Sequence, residues 1–339
     1  MGTLTIHKAG PGLTIQDLGR LGWTAEGLST GGAADRLALF EAAALLDSDP
    51  AQAVIEMMGF GGTFSCDQDT RIALTGATMQ ADIDGQPLPH NGTQQLRAGQ
   101  KLTIGGAQRG VFGYLAFAGG ITTPPVMDSR ATHLTAGIGG LLQSGDTLPL
   151  GDDPAPNTAP RKLPPDNRWA DAAIRVMPGP QTHFFRKETL AKFAQTCFTR
   201  SARGNRQGIR LDHDGSDFTI ADGRNIVSDL ILPGDIQMTG YGVPYVLLAE
   251  CQTIGGYPRI GTVIPADLPR IAQAAPGAML QFRLISVEEA DATALSDDSL
   301  LRDLTRKCQP LIRDPHDIPD LLGYQLISGA TRGDDLERP

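Results

Sequence analysis

The sequence has few cysteines, no long apolar run and no excess of positive charge, and each absence excludes a class of protein. Its four cysteines lie far apart and form no CxxC pair, so neither a disulfide framework nor a zinc site is expected. No apolar run reaches the ~18 residues that suggest a membrane helix, and Met1–Ile15 lacks the apolar stretch of a signal peptide. The net charge of −9 leaves no basic face for nucleic acid. We therefore expect a reduced, cytoplasmic protein with no metal, membrane or nucleic-acid partner.

The common catalytic motifs are also missing. No GxxxxGK[ST], HExxH or GxSxG pattern occurs, so no phosphate loop, zinc-protease helix or hydrolase elbow is predicted. The GIGG stretch at Gly137–Gly140 lacks the strand–helix context of a dinucleotide loop. The chain on its own is therefore predicted to have no ATPase activity.

The residues that are present favour a mainly β fold with a few short helices. Glycine is frequent, at 41 residues, and many short Val/Ile/Leu/Thr runs are bounded by turn residues. The pair Asp84–Gly85 predicts a tight hairpin. Three segments have helical spacing: AADRLALFEAAALLD, begun by Asp35, then KETLAKFAQTCF, and ADLPRIAQAA with Asp267 near its start.

A proline-rich stretch divides the chain. Gly151–Asn167 holds five prolines and few apolar residues, which is typical of an extended linker. The acidic residues are concentrated near the C-terminus, where IPDLLGYQLISG could dock as a strand or arm. The predicted organisation is a first β domain at 1–150, a linker at 151–170, a second β domain at 171–290 and an acidic tail at 291–339.

Two polar clusters lie in the first half. Gln16, Asp17 and Arg20 occupy a glycine-flanked turn, where an arginine fork can face a carboxylate or carbonyl group; a structural Asp17–Arg20 pair is the alternative. The second cluster follows a buried apolar run, and it is either a site or an ordinary turn. It holds Asp128, Ser129, Arg130 and His133.

A third polar cluster surrounds a pair of glycines in the second half. The stretch CQTIGGYPRIGTVIPADLPRIAQAAPG places small residues beside amide, phenol and carboxyl groups, as expected where a ligand or partner approaches the backbone; an ordinary turn with helix capping is the alternative. The residues of interest are Gln252, Gly255, Gly256, Tyr257, Asp267 and Gln273, together with Arg206 and Gln237.

Taken together, these stretches resemble the biotin-dependent carboxyltransferase-type family, also called the allophanate hydrolase subunit 2 family. The matching motifs occur in the family's order over roughly residues 3–285. They are IQDLGRLG, GGAADRLALFEAAALL, TGA, YLAFAGGI, DSRAT, GGLLQSGD, GIRL, IQMTGYGVPYVLLAECQTIGGYPRIGTVIPADL and AQAAPG.

The resemblance implies a fold, partners and a function. It implies two tandem cyclophilin-like β-barrels, and an active cleft shared with a B-type subunit. The expected function is that of the C-type subunit of an ATP-dependent 5-oxoprolinase, in which the complex uses ATP, an A-type subunit takes part and no cofactor is covalently bound. One alternative is a carboxyltransferase component of a biotin-dependent urea or amide carboxylase, with biotin presented by a partner. The other is a non-enzymatic regulatory binding protein.

The candidate site residues follow from the polar clusters and the resemblance together. A small amide or lactam needs both donors and acceptors, which glutamine and tyrosine supply. The candidate catalytic residues are Arg20, Arg130, Arg206 and Asp267. The candidate substrate-binding residues are Gln16, Gln237, Gln252, Gly255, Gly256 and Tyr257. The second-half residues are expected to border a cleft that opens toward a partner chain.

Overall fold

The computed structural model describes residues 2–166, 168, 172–215, 217–220 and 226–312. The predicted C-terminal arm at 318–329 lies outside the described residues. Within them the chain is mainly β, with five short helices. The prediction of a mainly β fold is confirmed.

The strands of the first half form one 11-stranded sheet around an apolar core. Its longest members, β5 and β8, pair antiparallel over most of their length. One edge strand comes from the C-terminal end of the described residues. The strands are β1 (Gly2–Ala9), β2 (Leu13–Gln16), β3 (Val54–Met58), β4 (Gly62–Cys66), β5 (Thr70–Ile83), β6 (Gln86–Pro87), β7 (Gly92–Leu96), β8 (Leu102–Phe117), β9 (Thr147–Leu150), β10 (Arg161–Lys162) and, from the C-terminal region, β20 (Gln309–Pro310).

The order across this sheet is β20-β10-β7-β5-β8-β4-β1-β9, with β2, β3 and β6 paired off this path. The predicted hairpin joins β5 to β6, and both Asp84 (φ 50°) and Gly85 (φ 83°) have the positive φ that such a two-residue turn requires. Among the described residues of this half the hydrogen-bonded strands form a branched path and no closed ring.

The second half is a closed seven-stranded barrel. Its strand order is β11-β18-β15-β16-β13-β12-β19, and a separate two-stranded ladder, β14 with β17, lies beside it. Four phenylalanine rings fill the middle of the barrel: Phe193, Phe198, Phe218 and Phe282. The strands are β11 (Ile174–Met177), β12 (Cys197–Asn205), β13 (Gly208–Asp212), β14 (Asp229–Leu230), β15 (Asp235–Met238), β16 (Pro244–Leu247), β17 (Ile254–Gly255), β18 (Arg259–Val263) and β19 (Met279–Leu284).

Helices cover both halves, and the three predicted ones are present. They are α1 (Arg36–Leu46), α2 (Lys187–Gln195), α3 (Leu268–Gln273), α4 (Val287–Asp291) and α5 (Asp297–Lys307). The Asp35 carboxylate caps α1 by accepting from the Ala38 N–H. No helix of the described ranges has the length and apolar character needed to cross a membrane.

The segments at either side of the barrel pack back onto the first half. In the proline-rich stretch, the carboxylate of Asp153 pairs with the guanidinium of Arg71 at 2.8 Å, and Leu163 is buried. Helix α5, which lies in the predicted acidic tail, packs against α1 through Leu304. The segments that precede and follow the barrel therefore both pack against the first half of the chain.

Candidate functional site

A cavity of about 420 Å³ lies on the outer wall of the barrel, under the β14–β17 ladder. The strand alternation places it there: Ile236 and Val246 point into the barrel core, so their neighbours Gln237, Tyr245 and Leu247 point outward. Gln237 on β15 and Tyr245 on β16 are direct cross-strand partners. The barrel wall thus supplies a polar floor to the cavity.

The rest of the cavity comes from two loops. The end of β12 contributes Arg203 and Asn205, the turn after it contributes Gln207, and the segment after β16 contributes Gln252 and Tyr257. The structure therefore brings Gln237, Gln252 and Tyr257 together, as a site in this region would require. Sequence reasoning selected the adjacent Arg206 and missed Arg203 and Gln207, because the local sequence does not show which of these side chains faces the cavity.

The Gln237 amide is the most unusual group in the cavity. Gln237 is only 8% exposed, and its Nε2 is buried with no hydrogen-bond partner. A buried amide donor without a partner costs on the order of 1–3 kcal/mol. This nitrogen is therefore available to a ligand that carries an acceptor. Across the cavity Tyr257 is 51% exposed, so that wall is open to solvent.

The two glycines of the GGYP turn have different roles. A Cβ at Gly255 would lie 2.5 Å from Gln237 Nε2 and 3.0 Å from Ile231 Cδ1, so this glycine makes room for the amide. A Cβ at Gly256 would meet only Ser228 Oγ, at 3.4 Å. Neither glycine has positive φ. Close approach at Gly255, and not backbone strain, explains the small residue there.

Arg206 does not line this cavity; it lies behind the cavity wall in a buried ion cluster. Its Nε donates to Glu250 Oε1 at 2.6 Å, its Nη1 pairs with Glu56, and its Nη2 donates to the Gly32 carbonyl oxygen at 2.5 Å. Gly32 and Glu56 belong to the first half, and Glu250 immediately precedes the GGYP region. Arg206 therefore fixes the cavity wall against the first half of the chain.

The charges in this cluster stabilise one another. Burial alone would raise the pKa of Glu250, but the charge and hydrogen bond of Arg206, with smaller contributions from Thr135 and His133, together hold that pKa below its usual value. Burial likewise opposes the charged form of Arg206, and the carboxylates of Glu56 and Glu250 raise its pKa. The Tyr114 hydroxyl donates to Glu56 Oε2 at 2.8 Å. With its guanidinium occupied in this way, Arg206 acts on the cavity as a positioning residue.

Asp267 is also held in a structural contact. Its carboxylate accepts from Arg175 Nη2 at 2.8 Å and from Arg175 Nε at 3.0 Å, and it is 3% exposed. It stands at the start of α3 without accepting a capping bond there. The prediction that Asp267 lines the cavity is wrong: Arg175 on β11 holds its carboxylate in this ion pair, away from the cavity lining.

The two polar clusters of the first half come together at a second cavity, of about 320 Å³. Arg20 and Arg130 both line it. Arg20 is 2% exposed and donates through Nε to Val126 O at 3.1 Å and through Nη2 to Ala131 O at 2.5 Å. Asp17 accepts from the Arg130 N–H at 2.6 Å. These bonds tie the turn after β2 to the 126–131 loop.

Gln16 and His133 are buried near this region but outside the cavity. The Gln16 amide donates to Thr132 O at 3.2 Å. The ring of His133 bonds Ser29 Oγ through Nε2 at 2.9 Å, and its Nδ1 accepts from the Ala136 N–H at 3.2 Å. Burial lowers the pKa of His133, so the neutral ring with a proton on Nε2 is favoured. His133 Nδ1 also lies 3.8 Å from Glu250 Oε2, so this ring is part of the contacts between the two halves.

Cys251 lines the cavity on the barrel wall, yet its thiol is a poor nucleophile. All four cysteines are free, and Cys251 is 3% exposed. Burial, with a smaller contribution from Asp235, raises the pKa of this thiol to about 12. Since the thiolate is the reactive species, Cys251 supplies apolar wall and no covalent chemistry.

Comparison with known proteins identifies the family. The family model "Carboxyltransferase domain, subdomain A and B" matches residues 26–284. The chain belongs to this family. The resemblance inferred from the sequence motifs is confirmed.

The carboxyltransferase-domain relatives differ in their extent. The chain is 37% identical over 291 residues to the 5-oxoprolinase C subunit of Escherichia coli, an alignment that covers 85% of this chain and 93% of that protein. The 5-oxoprolinase C subunit of Haemophilus influenzae is 34% identical over 281 residues, covering 82% and 89%. Urea amidolyase of Saccharomyces cerevisiae is 26% identical over 323 residues, and only 18% of it is covered.

Solved structures show the same fold in longer chains. The structure of TTHA0988 has a TM-score of 0.76 and 27% identity, over 84% of this chain and 56% of that one. Kluyveromyces lactis urea carboxylase has a TM-score of 0.81 and 23% identity, over 92% of this chain and 31% of that one. The chain therefore spans about half, or less, of the solved chains that it matches.

Proposed function

We propose that this chain is the C-type subunit of an ATP-dependent 5-oxoprolinase, a hydrolase that opens a lactam. The observation that carries the proposal is the alignment with the 5-oxoprolinase C subunit of Escherichia coli, which spans 93% of that protein at 37% identity. Urea amidolyases match at lower identity and over less than a fifth of their length. The 5-oxoprolinase C subunit, which this chain matches over nearly its whole length, is therefore a better counterpart of this chain than urea amidolyase.

The cavity suits a lactam. Opening the ring breaks its C–N bond, as water adds its hydroxyl to the carbonyl carbon and a proton to the nitrogen. A group that donates to the carbonyl oxygen polarises that bond, and an acceptor orients the ring N–H. The unpartnered Gln237 Nε2 is such a donor, while the side chains of Gln252 and Tyr257 supply further donors and acceptors.

ATP is expected to act elsewhere in the complex, because the sequence carries no phosphate loop. We propose that a B-type subunit seals the open side of the cavity and that an A-type subunit supplies most of the phosphoryl chemistry. We further propose that this complex works in the cytoplasm. The exposed rim supports a partner on this side, since Ile254 is 61% and Tyr257 51% exposed. No covalently bound cofactor is invoked in this chain.

Co-purification with the B-type and A-type subunits, followed by an assay of ATP-dependent 5-oxoproline opening, tests the proposal. We expect turnover by the complete complex and none by the chain alone. The matched control is the same mixture without this chain. Turnover that persists at the same rate in its absence contradicts the proposal.

A carboxyltransferase component of a urea or amide carboxylase is the second candidate. The family description and the fold shared with Kluyveromyces lactis urea carboxylase favour it. Here carboxybiotin presented by a partner would deliver its carboxyl group to a substrate nitrogen. Dependence of turnover on urea, bicarbonate and a biotinylated partner, without 5-oxoproline opening, would select this candidate. A complex that forms and has neither activity would select the regulatory binding protein.

A further inference from the structure

A bulge in β12 builds one corner of the cavity on the barrel wall and places an exposed arginine there. The pairing of β12 with β13 shifts register between Arg200 and Gly204, so the intervening residues leave the regular ladder. Arg203, within this bulge, is exposed and lines the cavity. Gly204 also lines it, and a Cβ placed on Gly204 would lie 2.9 Å from Arg200 Nη2. Arg203 therefore stands at this corner of the cavity, and Arg200, which does not line the cavity, lies directly behind Gly204. The Asp212 carboxylate is near enough for the charge of Arg203 to help lower its pKa, and it is already paired with Arg210 at 2.7 Å.

Among the described residues, the buried charge of Arg200 has no carboxylate counter-ion. It is 4% exposed, its Nη1 donates to Ser201 O at 2.9 Å, and its Nε has no hydrogen-bond partner. Burial is the cause that lowers its pKa, and no carboxylate of the described residues lies within ion-pair distance of it. The other buried arginines of this half are paired with carboxylates: Arg206 with Glu56 and Glu250, and Arg259 with Asp229 and Asp235.

An uncompensated buried guanidinium is costly, because burial removes its hydration and nothing negative replaces it. The cost falls when an anion binds nearby. A carboxylate held by the exposed Arg203 would lie close to the Arg200 charge, in surroundings where the attraction is stronger than in bulk water. This corner therefore favours a negatively charged ligand group.

A second group that can bind a ligand, the Gln237 amide, lies on the floor of the cavity. Gln237 Nε2 is a neutral donor without a partner, and it is more than nine-tenths buried. It can donate to an acceptor such as an amide carbonyl oxygen and needs no charge on that acceptor. The cavity, at about 420 Å³, falls in the range of roughly 300–1,000 Å³ typical of small-molecule sites.

We propose that the cavity binds one small molecule that carries both a carboxylate and an amide, with the carboxylate at Arg203, on the side of the cavity where the buried Arg200 lies behind Gly204, and the amide oxygen at Gln237. This inference rests on the proposed function and deepens it, since it assigns 5-oxoproline an orientation in this chain. Arg203 sets the preference for a carboxylate-bearing substrate, and Gln237 binds the ring carbonyl.

Two ligands and three variants test the assignment in the co-purified complex. The ligands are 5-oxoproline and pyrrolidin-2-one, which is the same lactam without the carboxylate. The variants are Arg203→Gln, Gln237→Met and, as the matched control, Arg186→Gln, an exposed arginine next to α2 that lines no described cavity. Affinity is measured by calorimetric or NMR titration, the KM for 5-oxoproline is measured alongside it, and a melting curve checks that each variant is folded.

We expect Arg203→Gln to weaken 5-oxoproline binding by about tenfold or more and to leave pyrrolidin-2-one binding unchanged, because only the first ligand loses a charge-assisted bond. Gln237→Met should weaken both ligands, by about two- to tenfold. Arg186→Gln should change neither. Equal effects of Arg203→Gln on the two ligands, or no effect on either, overturn the assignment.

The binding and turnover results separate the two proposals. If the complex opens 5-oxoproline and Arg203→Gln does not discriminate between the ligands, the orientation is wrong and the function stands. If the complex shows the expected discrimination in binding and opens no 5-oxoproline, the proposed function is wrong and the subsite stands.

Discussion

Replacing Gly255 by alanine should impair the cavity while leaving the fold largely intact. The added Cβ would lie 2.5 Å from Gln237 Nε2 and 3.0–3.2 Å from the Ile231 side chain. The groups in the way are the far ends of two side chains, which can move, so we expect a loss of about 1 kcal/mol in the free energy of unfolding, at the low end for overpacking. For a domain of this size that corresponds to a fall in Tm of about 2–4 °C.

The larger effect should fall on the ligand. Once the Gln237 amide is displaced, its bond to a ligand carbonyl is lost, which is worth about 0.5–1.5 kcal/mol, or roughly a two- to tenfold rise in KM. Gly256→Ala is the matched control, because its Cβ has only Ser228 Oγ as a neighbour, at 3.4 Å. The assay is the KM for 5-oxoproline in the complex, with a melting curve for each variant. A Gly255→Ala complex with the KM of the wild type would refute the reasoning, and so would an equal rise in Gly256→Ala.

Three substitutions and one labelling experiment test other parts of the account. Gly256→Val keeps the isolated chain folded, because the site is exposed, and should block complex formation or turnover if a partner approaches there; a variant that binds and turns over normally places the partner elsewhere. Arg206→Met leaves two buried carboxylates without their counter-charge, so we expect a loss of about 3–5 kcal/mol in denaturant unfolding, and a change below about 1 kcal/mol would argue against the ion cluster. Burial raises the pKa of Asp267, but the hydrogen bonds and charge of Arg175, with a smaller contribution from Arg270, together lower that pKa below its usual value. The stabilisation by the ionised Asp267 is therefore present above pH ~4 and is lost as the pH falls through the folded-state pKa, so Asp267→Asn should be less stable than wild type at pH 7 and the gap should close in acid. In the folded protein iodoacetamide should label the exposed Cys197 and spare Cys251, whose pKa burial raises to about 12, and mass spectrometry that finds Cys251 labelled first would contradict its burial.

Local signals in the sequence predicted much of the fold. Asp35 caps α1, as its position before the helix suggests. Asp84 and Gly85 form the predicted hairpin turn, and both have the positive φ that this turn requires. Each of these features depends on a few neighbouring residues, so the sequence alone carries it. At Gly255 the groups that approach the backbone are the side chains of Gln237 and Ile231 in this chain, so the approach of a ligand or partner there stays a prediction.

Contacts between distant residues could not be predicted in this way. Arg206 and Asp267 were candidates because they lie near suggestive motifs, but Glu56 and Arg175, which bind them, lie 150 and 92 positions away in the sequence. An arginine facing a ligand and one facing two buried carboxylates have the same local sequence signal. Arg203 was missed for the related reason that a strand bulge directs it into the cavity, and the register that creates the bulge depends on β13.

The most direct test of the central claim is a crystal structure of the co-purified complex with 5-oxoproline bound. We expect the lactam in the cavity beneath the β14–β17 ladder, with its carboxylate against Arg203 and its ring oxygen within hydrogen-bonding distance of Gln237 Nε2. A fully occupied ligand elsewhere in the complex, with this cavity holding only water, would contradict the account.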